Sequence, residues 1–125
     1  MKYALNPKPK KSSRVYGRNL RVSTKNSVAV CRAVSGMTLK KAESLLEGMV
    51  SGKRDLNGKH YTKTAEEILG LLRSARNNAD FQGLEPDNMV VRVSAHKGFK
   101  LWTPRRFKLR RTTGKNTNIQ VVLEK

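Results

Sequence analysis

The chain has 125 residues and carries 27 Lys and Arg against 9 Asp and Glu, which gives a formal net charge of +18 at pH 7 and a pI near 10.8. This length supports one modest domain with one hydrophobic core and is too short for two. A positive charge of this size is extreme for a metabolic enzyme and common among nucleic-acid-binding proteins.

The positive charge is concentrated at the two ends of the chain. Residues 1–25 contain eight Lys and Arg and no acid, and residues 96–125 contain nine against Glu124 alone. Residues 26–95 are nearly balanced, with ten basic and eight acidic side chains. We therefore expect an ordinary globular centre with polycationic flanks.

Cysteine usage and hydropathy bear on the compartment. Cys31 is the only cysteine, which excludes a disulfide framework and a thiolate metal cluster. Its apolar neighbours favour a small buried side chain over a reactive thiol. The amino terminus lacks the apolar core of a signal peptide, and no window approaches the ~20 apolar residues of a membrane span. We expect a soluble protein of the reducing cytoplasm.

Residues 1–18 are predicted to form an extended basic tail. Pro7, Pro9 and the Lys8–Lys11 run leave too little apolar surface to offset the entropy of ordering this segment. Two interpretations stay open, an arm that orders on RNA and a solvated tail that only aids solubility. The alternation over Asn19–Ser23 then predicts a short strand that joins the sheet.

Three helices are predicted in the centre of the chain. Apolar residues with helical spacing run from Asn26 to a glycine stop at Gly36, and again from Leu39 to Val50. The third helix covers Ala65–Ala79, and a Thr-x-x-Glu capping box starting at Thr64 marks its beginning. The polar stretch 51–61 is predicted to be a surface loop.

Two predicted strands near the carboxyl terminus enclose a strongly basic segment. Met89–Ala95 and Asn118–Glu124 alternate with the period of two that marks half-buried strands. Residues 96–116 between them contain eight Lys and Arg, no acid and three aromatic residues. Continued pairing would project them as a hairpin arm of roughly 35 Å, at ~3.3 Å per residue. An isolated ribbon is marginal in water, so we expect a polyanion to order the arm.

These elements predict an α+β fold in which three helices pack on one face of a small three-stranded antiparallel sheet. The predicted organisation is a tail over residues 1–18 and a single domain over residues 19–125. The protruding basic hairpin, over about residues 96–116, belongs to that domain.

Arginine and lysine can hydrogen-bond phosphate oxygens, and aromatic rings can stack on exposed bases. The candidate RNA-binding residues in the tail and arm are Lys8, Lys10, Lys11, Arg14, Arg18, Arg21, Lys25, Lys97, Lys100, Trp102, Arg110, Arg111 and Lys115. In the alternative interpretation, Phe99 and Trp102 only pack across the ribbon and the charges are solvated.

Catalytic groupings are absent from the sequence. His60 and His96 lack the sequence context of a metal site, and no phosphate loop or Ser/His/Asp signature occurs. We therefore expect no catalysis, metal or cofactor. A chromatin-like, non-specific duplex binder is the alternative that charge alone supports. An enzyme acting on RNA is a third, for which no general acid/base pair can be named.

The chain resembles the universal large-subunit ribosomal protein twenty-two family, called protein seventeen in eukaryotes. The similar blocks, in order along nearly the whole chain, are Asn19–Asn26, Ser35–Ala42, Leu71–Ala79, Lys97-Gly98, Pro104-Arg105 and Thr117–Leu123. The opening Tyr3-Ala-Leu-Asn-Pro7 resembles the archaeal and eukaryotic branch of the family.

The resemblance implies a structural constituent of the large ribosomal subunit, cytoplasmic, that supports subunit assembly and translation. The globular domain would lie near the mouth of the peptide exit tunnel, and the hairpin would run inward through ribosomal RNA to line the tunnel. The implied partners are large-subunit ribosomal RNA, neighbouring ribosomal proteins and the nascent polypeptide, with no homo-oligomer and no cofactor. The implied tunnel-tip residues are Pro104, Arg105, Arg106, Phe107 and Lys108.

The sequence departs from this family in two places. The usual tip reads Pro-Arg-Ala followed by Gly-Arg-Ala, whereas Pro104–Arg110 contains no glycine. The loop over residues 51–61 is shorter than in most eukaryotic relatives, which implies fewer contacts with RNA or neighbouring proteins there.

Overall fold

The computed structural model describes residues 4–7, 11–104, 108 and 110–125. Its elements are β1 (Ser12–Leu20), α1 (Thr24–Val34), α2 (Leu39–Val50), α3 (Thr62–Phe81), β2 (Val90–Lys97), β3 (Leu101–Trp102), β4 (Thr113–Gly114) and β5 (Thr117–Glu124). A short 3-10 turn, Pro86–Asn88, leads into β2. The predicted α+β class is confirmed, with three helices and a three-stranded antiparallel sheet.

The carboxyl-terminal strand β5 occupies the centre of this sheet, in the order β1-β5-β2. Val121 of β5 lies between Val15 of β1 and Val93 of β2. α3 packs on β1 and β5, and α1 packs on β2. The helices therefore cover one face of the sheet, where Ile119 and Leu123 are fully buried.

Each helix contributes one apolar stripe to this core. α2 buries Leu39, Ala42, Leu46 and Met49, which recur at spacings of three and four. Full burial of a side chain such as Leu46 stabilises the fold by about 1.5–3 kcal/mol. The helix positions predicted from periodicity are confirmed.

The first strand begins earlier than the sequence indicated. β1 covers Ser12–Leu20 rather than Asn19–Ser23, so most of the segment assigned to the tail after residue 11 pairs with β5. Its core-facing residues are small, because β1 lies close to α3. Ser13 Oγ donates to the Ala75 carbonyl oxygen at 2.9 Å, and a Cβ on Gly17 would lie 2.9 Å from a Leu71 methyl carbon. Small inward side chains hid this strand from hydrophobic periodicity.

The predicted capping box at the start of α3 is wrong. The helix starts three residues earlier, at Thr62, and Tyr61 is the residue at its N-cap, with φ 47° and no side-chain capping bond. The Ala65 N–H donates to the Tyr61 carbonyl oxygen at 2.9 Å. Thr64 therefore lies within the first turn, where it is buried.

The amino-terminal residues contact the sheet face opposite the helices. Gln120, in the middle of β5, is 1% exposed. Its Nε2 donates to the Leu5 carbonyl oxygen at 2.9 Å, and its Oε1 accepts the Ala4 N–H at 2.8 Å. A buried amide that lacks partners costs about 1–3 kcal/mol. These two hydrogen bonds therefore hold residues 4 and 5 against the sheet, a contact that the sequence did not predict.

Between β2 and β5 the chain forms a second, two-stranded sheet. Leu101 pairs with Gly114 and Trp102 with Thr113. Three residues separate β2 from β3, but only two separate β4 from β5, so one extra residue interrupts the ribbon that was predicted to be continuous. The length and tip of the arm stay predictions, since residues 105–107 and 109 lie outside the described residues.

Candidate nucleic-acid interface

Asparagine and threonine side chains join the arm to the core. Asn116 Nδ2 donates to the Phe99 carbonyl oxygen at 3.0 Å and to Asn19 Oδ1 at 3.3 Å. Asn118 Oδ1 accepts the Asn19 N–H at 2.8 Å, and Thr117 Oγ1 donates to a carbonyl of the β1–α1 connection at 2.8 Å. Asn19 has φ 56°, in the left-handed region that asparagine adopts more readily than most residues. The network thus attaches both strands of the arm to the end of β1 and to the β1–α1 connection.

Gly98 permits this close packing at the start of the arm. A Cβ on Gly98 would lie 3.1 Å from Asn116 Cγ and 3.2 Å from Asn19 Oδ1. The Gly98 N–H also donates to the Asn116 carbonyl oxygen at 3.0 Å. A larger residue at this position would push the Asn116 amide away from its partners.

A cleft of about 330 Å³ opens beside the network, between the beginning of α1 and both strands of the arm. We call it the root cleft. Four lysines line it, Lys25, Lys97, Lys100 and Lys115, and no acidic residue is found among its described lining residues. Among the described residues, none of the four takes part in an ion pair. Four like charges around one cleft repel each other in the free protein and attract a polyanion.

The arm exposes its aromatic rings. Phe99 is 68% exposed and Trp102 is 64% exposed. Lys100 Nζ lies 5.9 Å from the Trp102 ring centroid, within the range of a cation–π contact. Both rings are thus open to solvent rather than packed across the ribbon, and an open ring beside a cation is suited to stacking on an unpaired base.

Arg21 and the far half of the arm extend this cationic surface. Arg21 Nη1 lies 3.2 Å from the position that a Cβ on Gly114 would occupy, so the guanidinium reaches β4. The exposed residues toward the end of the arm are Pro104, Lys108, Arg110 and Arg111. The candidates outside the described residues are Lys8, Lys10, Arg105, Arg106 and Phe107.

The remaining candidates lie on β1 or just before it and do not line the root cleft. Lys11 is at the end of the sheet farthest from the arm, where its carbonyl oxygen accepts the Lys125 N–H at 3.4 Å. Arg14 is exposed and pairs in register with Val122, which places it on the sheet face opposite the helices. Arg18 is exposed near the end of β1. The structure therefore gathers one set of candidates at the arm and leaves these three apart.

Three cations of the helices, Lys40, Arg73 and Arg76, have acidic partners. Arg76 contacts Glu43 Oε2 at 3.1 Å and Asp87 Oδ1 at 3.0 Å, and Lys40 Nζ lies 2.9 Å from Asp87 Oδ2. The hydrogen bond from Lys40, with the positive charges of Lys40 and Arg76, lowers the pKa of Asp87 below its usual 3.8. Charge is therefore partly neutralised on the helical side, whereas the described cations of the arm form no ion pair.

The described residues include neither a thiol that is reactive at neutral pH nor a cluster of metal ligands. Burial raises the pKa of the Cys31 thiol to about 12, so the nucleophilic thiolate is scarce at neutral pH. His96 Nε2 lies 3.2 Å from the Tyr16 hydroxyl on the outer sheet face. Within the described ranges, no three His, Cys, Asp or Glu side chains cluster as a metal site. The helices found there are too short or too polar to span a bilayer.

Sequence reasoning missed the three asparagines that attach the arm, Asn19, Asn116 and Asn118. The stretch from Gly114 to Asn118 reads Gly-Lys-Asn-Thr-Asn, and short polar side chains of this kind often bond to nearby backbone groups. That composition was the available signal. It could not identify Asn19, 97 residues away, as the partner of Asn116.

The comparisons with known proteins identify one family. The sequence model of the family described as ribosomal protein L22p/L17e matches residues 15–124. Large ribosomal subunit protein uL22 of Methanococcus aeolicus is 30% identical across 99% of this chain and 96% of its own length. The proteins of that name from Methanocaldococcus jannaschii and Pyrobaculum aerophilum are 30% and 35% identical, across 99% and 79% of this chain and 94% and 65% of their own lengths. The resemblance seen in the sequence is confirmed, and the chain belongs to the ribosomal protein L22p/L17e family.

Proposed function

We propose that this protein is a structural constituent of the large ribosomal subunit that binds large-subunit ribosomal RNA through its arm and root cleft. It acts in the cytoplasm and supports subunit assembly and translation, without catalysis and without a cofactor. Its other partners are neighbouring ribosomal proteins and, at the arm tip, the nascent polypeptide.

The observation that carries this proposal is the set of lysines around the root cleft. Lys25 is distant in sequence from Lys97, Lys100 and Lys115, yet the fold places all four around one cleft, whose described lining residues include no carboxylate. Such an arrangement is electrostatically unfavourable in the free protein and becomes favourable when phosphates occupy the cleft. The exposed rings of Phe99 and Trp102 add stacking surfaces for bases.

The placement of the tip in the exit tunnel rests on the resemblance. Pro104 and Arg105 match the family motif, whereas Phe107 has no counterpart there. We propose that the segment from Thr103 to Lys108 faces the tunnel, while the cations nearer the root bind RNA. This division of roles makes the two groups separable by mutation.

The experiment measures binding of the full chain to structured large-subunit RNA, with excess duplex DNA as competitor. If six to ten of its cations neutralise phosphates, affinity should fall by ~10³ to 10⁵ between 50 and 200 mM salt. A nearly flat salt dependence would mean that these charges face solvent. Equal competition by duplex DNA would favour the chromatin-like alternative, as would failure to co-sediment with large subunits after a high-salt wash.

A second measurement separates the shaft from the tip. Lys97→Ala with Lys115→Ala should impair incorporation into large subunits, because each buried charge-assisted phosphate contact is worth ~1–3 kcal/mol. Arg105→Ala with Arg106→Ala should leave incorporation largely intact and alter pausing on a test nascent peptide. If the tip variant blocks assembly as severely as the shaft variant, the tip is an RNA anchor and the tunnel assignment is wrong.

A further inference from the structure

We propose that the root cleft binds one RNA nucleotide, with its phosphate among the lysines, its base against Phe99 and its ribose near Asn116. This inference rests on the proposed function and goes further by naming the ligand unit and its location. The cleft volume of about 330 Å³ lies at the lower end of the ~300–1,000 Å³ range of small-ligand sites. One nucleotide unit suits a space of that size.

The phosphate position follows from the beginning of α1. Ser23, Thr24 and Lys25 line the cleft, and they are the N-cap and first two residues of that helix. Ser23 makes no side-chain capping bond, and the first turn contains no acid. The first N–H groups of a helix have no acceptor within the helix and favour a nearby anion. The lysines from the arm complete a cationic lining on the opposite side.

The ribose position follows from Asn116. This residue lines the cleft and is only 8% exposed, yet its Oδ1 accepts no hydrogen bond from any described residue. Buried polar atoms without partners are rare in native proteins. The amide nitrogen of Asn116 already donates to Phe99 and Asn19, so the group still missing is a hydrogen-bond donor for Oδ1. This oxygen has almost no accessible surface in the free protein, so the contact requires a small shift of the Asn116 side chain. A ribose 2′-hydroxyl then supplies the donor, and DNA lacks it.

The base position follows from Phe99. Phe99 is 68% exposed and lines the cleft. Its carbonyl oxygen accepts a hydrogen bond from Asn116 Nδ2. The backbone beneath the ring is therefore anchored while the ring is open to solvent. Stacking of one base on such a ring is sequence-tolerant, because every base has a π-face.

The first part of the experiment locates the contact between the RNA and the protein. The full chain is mixed with a five-nucleotide oligouridine RNA that has 4-thiouridine at its centre, irradiated, and analysed by mass spectrometry. Crosslinks should fall on Phe99 and on residues adjacent to it. Crosslinks found only on β1 or only beyond Thr103 would overturn the cleft assignment while leaving RNA binding intact. No binding of the RNA at low salt would overturn the proposed function as well.

The second part of the experiment measures the affinity of matched variants for the same RNA. Lys25→Ala with Lys115→Ala should weaken binding about tenfold or more and lower the salt slope by about one. The control, Lys41→Ala with Lys53→Ala, removes two exposed lysines that do not line the cleft. Phe99→Ala should weaken binding about tenfold through lost stacking, whereas Phe81→Ala, which removes a ring that is 94% exposed on α3, should not. Equal effects of a variant and its control would overturn the proposal.

The third part of the experiment changes the RNA and leaves the protein unchanged. Replacing the central nucleotide of the same oligomer by its 2′-deoxy form should weaken binding about fivefold, the scale of one hydrogen bond. The deoxy substitution at a terminal nucleotide is the control. If both positions are insensitive, the ribose contact with Asn116 is wrong.

Discussion

The helical core and the arm come from one chain, but they bury and expose opposite kinds of side chain. In the core, Leu46 and Leu72 are fully buried and Arg76 contacts two carboxylates. In the arm, Phe99 and Trp102 expose about two thirds of their surface, at 68% and 64%. Burial of apolar surface is the main stabilising contribution to a fold. The core is therefore able to hold its own structure. The described part of the arm instead exposes its large apolar side chains and is held at its base by the hydrogen bonds of Asn19, Asn116 and Asn118.

The largest expected effect tests this difference with two leucines. Leu72→Ala in α3 removes a side chain that is 0% exposed and should lower the free energy of unfolding by about 2–5 kcal/mol. Leu101→Ala in the arm, where the side chain is 36% exposed, should change it by less than ~0.5 kcal/mol. Equilibrium urea denaturation measures both. Similar losses would mean that the arm folds cooperatively with the core.

The second prediction concerns the polar contact on the other face of the sheet. Gln120→Leu removes both hydrogen bonds to residues 4 and 5 and should cost about 1–2 kcal/mol, at roughly 1 kcal/mol per bond. Hydrogen exchange at the Ala4 N–H should accelerate, because that group loses its acceptor. Gln82→Leu at the exposed end of α3 is the matched control. Unchanged protection at Ala4 would show that Gln120 does not hold the amino-terminal segment.

The same contrast explains what could be predicted from sequence. The helices and β5 repeat large apolar residues such as Leu46 and Val121 at regular spacing, so periodicity located them. β1 faces the core with Ser13, Val15 and Gly17, and only Val15 of these three gives a hydrophobic signal. Their suitability depends on how closely α3 approaches, which only the tertiary structure specifies.

The candidate RNA-binding site likewise has a part that the sequence predicts and a part that it does not. The arm and its lysines could be predicted from their excess of positive charge, since no acid occurs over residues 96–116. The grouping of Lys25 with Lys115 depends on the turn from β1 into α1, which brings the start of that helix next to the arm. The Asn19–Asn116 contact depends on the same turn. Long-range polar pairs of this kind have no local pattern, so sequence reasoning could not find them.

The third prediction uses two glycines that meet different surroundings. Gly17→Ala would place a Cβ 2.9 Å from methyl carbons of Leu20 and Leu71. It should destabilise the fold by about 1 kcal/mol, near the lower end for overpacking, because leucine side chains can rotate. Gly70→Ala in α3 meets no atom within 4 Å and should stabilise the fold by about 0.5–1 kcal/mol. Thermal unfolding should show shifts of opposite sign, and shifts of the same sign would contradict the close approach of α3 to β1.

The smallest expected effect concerns pH and the ion pairs of the core. The hydrogen bond from Lys40, with the charges of Lys40 and Arg76, lowers the pKa of Asp87 below 3.8. A carboxyl group whose pKa is lower in the folded state contributes stability above its unfolded pKa, and this contribution disappears as pH falls through the folded value. Asp87→Asn should therefore reduce stability by a constant amount above about pH 5 and by progressively less below pH 4.

Urea denaturation between pH 2.5 and pH 7 measures this difference between the original chain and the variant. Asp55→Asn, in the exposed loop between α2 and α3, is the control and should show a much smaller change across that range. The arm has no counterpart to this acid-sensitive contribution, because no carboxylate occurs between His96 and Asn116. If Asp87→Asn instead left stability unchanged at pH 7, the Lys40 and Arg76 contacts would be fully screened by solvent, and the core would resemble the arm in gaining nothing from its surface charges.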